Sequence, residues 1–144
     1  MGNQNLNILD EVNKGVTMGM DAITYVSKKA QDNEFKQVLD TEYNKYEEIS
    51  NRVNDLYSNY SDKKPHETNA MNKAMTWYGI QMKTLTDDTN SKLSELLMQG
   101  TNMGIIEGRR LLNQNPNADH NVKNILNDFV VMQEDSVETL KKYL

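Results

Sequence analysis

Gly15-Val16-Thr17-Met18-Gly19 and Gly100-Thr101-Asn102-Met103-Gly104 share the pattern G-x-x-M-G at an offset of 85 residues, each inside a helical run of apolar positions. The match extends outward on both sides. Ile8 and Asp10 map onto Leu93 and Glu95 at the same offset, and Phe35, Val38 and Leu39 map onto Val122, Ile125 and Leu126 at 87. The two added residues fall in the turn that carries Asn115-Pro116-Asn117. These correspondences predict one helical hairpin present twice.

Gly15 and Gly19 form a small-x-x-x-small pair, and Gly100, Gly104 and Gly108 continue the same spacing. Each interior glycine costs a soluble helix about 1 kcal/mol relative to alanine. Glycines four apart share a helix face and admit a closer neighbour than side chains would allow. All five are therefore expected to pack helix one against helix three, with a ligand-contact groove as the alternative.

Around the glycines, Leu9, Val12, Val16, Met20, Ile23 and Val26 recur at spacings of three and four, predicting a helix from Leu6 to about Ala30. Gln31-Asp32-Asn33 ends it. Phe35, Leu39, Tyr46, Ile49, Val53, Leu56 and Tyr60 define a second stripe that runs out in the polar cluster 61–65. So brief a turn makes these two helices antiparallel neighbours. The stretch 66–91 has no counterpart in the repeat. Met71, Met75, Trp77, Tyr78 and Met82 suggest a short helix there, and Thr86–Ser91 is dense in residues that favour caps and turns. The alternative is one helix over 69–113, whose length of about 65 Å would overhang its neighbours. A third bundle helix is predicted over 92–113, with Leu93, Leu96, Leu97, Met103 and Leu111 inward. A fourth follows over 118–143, with Val122, Ile125, Leu126, Phe129, Met132, Val137 and Leu140 inward.

Composition bounds what such a bundle does. The 144 residues suffice for a single helical-bundle domain, 1–144, and for one core. With 37% hydrophobic residues and a mean hydropathy of −0.79, much of each helix must face water. A net charge of −5 and 16 scattered Lys and Arg argue against nucleic-acid binding. Cysteine is absent, which excludes disulfides, thiolate metal sites and a Cys nucleophile. No apolar run approaches the roughly 18 residues of a membrane span, and the N-terminus lacks the regions of a signal peptide, so a cytoplasmic location without membrane attachment is expected.

The paired hairpins, with a long connection between helices two and three, resemble the ferritin-like superfamily. That resemblance implies an all-α antiparallel four-helix bundle. In its metal-binding members, carboxylates from helices one and three join an E-x-x-H motif on each of helices two and four. Here Glu42 matches such a Glu in position, but Lys45 stands where the His would be. On the fourth helix Glu134 is followed by Val137 and Asp128 by Val131. The resemblance thus implies the fold and supplies no metal site, and no cofactor is expected.

The other polar residues have ordinary explanations. Glu42 reads as an edge-of-core carboxylate paired with Lys45. Arg109 and Arg110 read as complements to a helix C-terminus, and Glu47-Glu48 and Glu134-Asp135 as solvated faces. His66 and His120 adjoin no strained serine turn, and the nine methionines read as adaptable core. Trp77 and Tyr78 form the candidate interaction surface. The expected function is a non-enzymatic bundle working through a protein partner or self-association. The alternative is a carboxylate metal binder or oxidase using Glu42, Glu95 and Glu107.

Overall fold

The computed structural model describes the backbone over residues 2–65 and 69–144, and side chains over 4–65 and 75–144. Five helices account for it: α1 (Gly2–Lys29), α2 (Asn33–Tyr57), α3 (Asn69–Lys83), α4 (Asn90–Gln114) and α5 (His120–Lys141). Among the described residues there are no strands, and no helix is long and apolar enough to cross a membrane. His66 and the Met71 side chain lie outside the described residues.

Local chemistry sets the boundaries. The Asp32 carboxylate accepts a hydrogen bond from the Phe35 N–H at 3.1 Å, which satisfies one of the orphan donors that start α2. Asp32 therefore opens the second helix as well as closing the turn. Thr89 caps α4 in the same way, accepting from the Lys92 N–H at 3.2 Å, while its own N–H donates to Asp87 at 3.0 Å. These bonds hold residues 85–89 out of helix, so the expected break is real and a continuous helix over 69–113 is not formed. At the other end, α1 begins at Gly2, four residues ahead of the expected start.

One apolar cluster draws on all five helices, with Ile8, Leu9, Phe35, Leu39, Leu93 and Val122 wholly buried and Tyr78 and Met82 added from α3. Each such side chain contributes about 1.5–3 kcal/mol by leaving water. The most extensive packing joins α4 to α5 and α1 to α2. Met103, expected inward, is instead 64% exposed. Met103 follows the buried Leu96, and then Gly100, at spacings of four and three, so its exposure comes from what faces it and not from its place on the helix.

Polar bonds close one end of the bundle. Asn5 accepts from the Asp119 N–H at 2.9 Å, and the Tyr60 hydroxyl donates to the Asp119 carboxylate at 2.6 Å. That bond, with some desolvation, pushes the Tyr60 phenol up to about 12. Because its folded pKa lies above the ordinary value of about 10, the contribution is complete below pH 10 and lost as pH rises toward 12. The stability difference between wild type and Tyr60→Phe is therefore expected to hold constant from about pH 7 to 9 and to shrink above about 10. Denaturation midpoints measured across that range check it, and a difference that does not change with pH refutes it.

Candidate functional site

Between the helices lies a cavity of about 550 Å³, within the size range of small-molecule sites. Glycines form much of two walls: Gly15 and Gly19 from α1, and Gly100, Gly104 and Gly108 from α4. Glu42 and Tyr46 enter from α2, Trp77 and Tyr78 from α3, and Phe129, Gln133 and Ser136 from α5. The remaining lining is mostly apolar, including Val12, Ile23, Leu97 and Leu126, with Glu11, Lys14 and Glu107 as its charged members.

Each of the five glycines has a bulky side chain lying over it. A β-carbon on Gly15 would come within 2.8 Å of the Phe129 ring, and one on Gly19 within 2.7 Å of Tyr46 Cζ. The Tyr78 hydroxyl lies over Gly100, the Gln133 amide over Gly104 and Val130 over Gly108. What approaches these positions is therefore side chains from α2, α3 and α5, where the sequence suggested a second backbone. The glycines make room for these side chains, four of which, Phe129, Tyr46, Tyr78 and Gln133, line the cavity themselves.

Polar groups gather on one side of it. Glu42 is only 4% exposed; Ser136 donates its hydroxyl to Oε2 at 2.6 Å, and the Lys45 ammonium lies 3.4 Å from Oε1. The expected Glu42–Lys45 pair is thus present, in a more buried setting than an edge of the core. Burial drives the Tyr46 phenol above its ordinary range, with the nearby Glu42 and Tyr78 adding to the effect and its hydrogen bond with Thr101 opposing it. Tyr46 accordingly stays protonated and is a donor rather than a base. Tyr78 is raised by burial as well, and its hydroxyl donates to the Leu96 carbonyl at 3.2 Å. Gln133 is 3% exposed, and its Nε2 has no hydrogen-bond partner among the described residues. A buried donor left so costs on the order of 1–3 kcal/mol.

The other sequence candidates disperse. Glu95 is exposed and pairs with Lys92 at 2.6 Å, and Glu107 is exposed and pairs with Arg110 at the cavity rim. Arg109 pairs with Glu134 at 2.8 Å, so both arginines are engaged by carboxylates. Among the described residues no group of three His, Cys, Asp or Glu side chains is placed to hold a metal ion. His120 is exposed at the start of α5. The Trp77-Tyr78 pair divides, with Trp77 43% exposed and Tyr78 buried, their rings edge to face at 5.0 Å.

Sequence reasoning passed over Gln133 and Ser136. They continue the buried stripe of α5 between Phe129 and Leu140, so polar residues at two consecutive core positions were the available signal. Compared with known protein families, with curated proteins and with solved structures, the chain matches none.

Proposed function

We propose that the protein is a non-enzymatic ferritin-like bundle that holds a small, largely apolar molecule in its glycine-walled cavity. In this reading α1–α2 and α4–α5 are antiparallel hairpins descended from one duplicated unit, and α3 belongs to the connection between them. Tyr46 over Gly19 and Gln133 over Gly104 support the duplication, because the two lining side chains stand at the repeat's offset of 87 and the two glycines at its offset of 85.

The observation that carries the binding role is the cavity itself. Five interior glycines, each costing about 1 kcal/mol of helix propensity, line a space of about 550 Å³. Filling that space with side chains would stabilise the fold. Retaining it is consistent with an occupant.

Nile red, a neutral apolar dye, is expected to bind with one site per chain. Gly104→Leu must push the Gln133 amide aside and so crowds the cavity, and it is expected to weaken that binding at least about tenfold while helical content is retained. Dye binding that is unchanged in the variant rules the cavity out.

A second reading, action through a protein partner or self-association, is favoured by the exposure of Trp77 at 43%, Met103 at 64% and Ile106 at 55%. Sedimentation over a range of concentrations tests self-association.

A further inference from the structure

We propose that the occupant of the cavity is an organic cation, an amine or ammonium group on an apolar body, with its charge set against Glu42. This rests on the cavity being a binding site, and the charge inside the cavity decides the class. Glu42 lies within an otherwise mostly apolar lining. Its two oxygens accept from Ser136 and Lys45, and a carboxylate has about four acceptor positions, so capacity remains for a ligand donor. An anionic ligand would meet a like charge in a poorly screened site.

The rim does not change this balance. Glu11 pairs with Lys14 at 3.0 Å and Glu107 with Arg110, both with solvent-accessible carboxylates, whereas Glu42, though paired with Lys45, is the buried carboxylate of the lining. Four aromatic side chains share the space. Tyr46 and Phe129 meet edge to face at 6.2 Å, and Trp77 and Tyr78 line the cavity from α3. Ring faces attract cations, and do so more strongly when both are desolvated.

Gln133 adds an independent polar contact. Its amide lines the cavity one turn of α5 from Ser136, and its nitrogen has no hydrogen-bond partner among the described residues. A ligand oxygen beside the cationic group would satisfy it.

Phenylbutylamine, phenylbutanol and phenylbutyrate share one body and differ in head-group charge, and calorimetry at neutral pH on the full chain reads their affinities. The amine is expected to bind at least about tenfold more tightly than the alcohol, and the carboxylate most weakly. Glu42→Gln preserves an acceptor for Ser136. It should abolish the advantage of the amine while leaving alcohol affinity within about twofold. If Glu42→Gln does not fold, Lys45→Met carries the test, since removing the competing cation should raise amine affinity over that of the alcohol. An alcohol or carboxylate that binds as well as the amine overturns the cation assignment and leaves cavity binding standing, as does an amine-to-alcohol ratio that neither substitution moves. Failure of all three probes and of Nile red refutes cavity binding itself.

Discussion

Phe35→Ala is expected to lower the free energy of unfolding by about 3–5 kcal/mol, the range for deleting a fully buried aromatic side chain. Phe35 has no accessible surface, and its ring packs at 5.0 Å against Tyr143 beyond the end of α5. Its N–H is also the donor that Asp32 caps, so the residue couples the start of α2 to the far end of the chain. Leu39, Val122 and Leu126 of the same core cluster are themselves almost entirely buried, which limits collapse into the vacated volume. Against a typical total of about 5–15 kcal/mol, such a loss would leave the bundle marginal. Urea denaturation reads it directly. A cost under about 1 kcal/mol would show that the site relaxes freely or is not core.

Gly19→Leu is expected to destabilise by about 1–3 kcal/mol or more, because a side chain there would have to displace the Tyr46 ring. Tyr46 is 4% exposed and backed by Phe129, so it has few other rotamers available. The gain in helix propensity from removing a glycine, at most about 1 kcal/mol, does not compensate. Gly79 in α3 provides the contrast. A β-carbon there meets nothing within 4 Å, and Gly79→Ala is expected to stabilise by up to about 1 kcal/mol. Gly104 falls between them, since the group above it is the end of a flexible Gln133 side chain rather than a ring. Midpoints for Gly19→Leu and Gly79→Ala should therefore move in opposite directions. A rise for Gly19→Leu would mean that Tyr46 swings into the cavity at no cost.

Most of the helical plan was legible because amphipathic periodicity is a local property. Val12, Val16, Leu39, Val53, Leu93 and Val122 are buried as their spacing requires, and Asp32 and Thr89 cap helices because short polar side chains reach the free N–H groups of the next turn. The run 86–91 likewise announced a break before α4. Stripe arithmetic worked less well where the face of a helix was lined by small residues. Met103 keeps the spacing of Leu96 and Gly100, yet it lines the cavity and is 64% exposed.

The glycines mark the boundary between the two kinds of knowledge. By itself the sequence determined that five interior positions had to be free of side chains, since that spacing carries a helix-propensity cost that only a close neighbour or a binding space would offset. Which neighbour comes close depends on contacts between residues far apart along the chain, and no local pattern encodes those. Only the tertiary structure decided that Phe129, Tyr46, Tyr78, Gln133 and Val130 lie over these positions, that Tyr78 is buried while Trp77 stays 43% exposed, and that Glu42 and Ser136, 94 residues apart, meet at the wall of a cavity. The physical reason is that helix periodicity selects a face, whereas the volume left between faces depends on how every helix packs against the others.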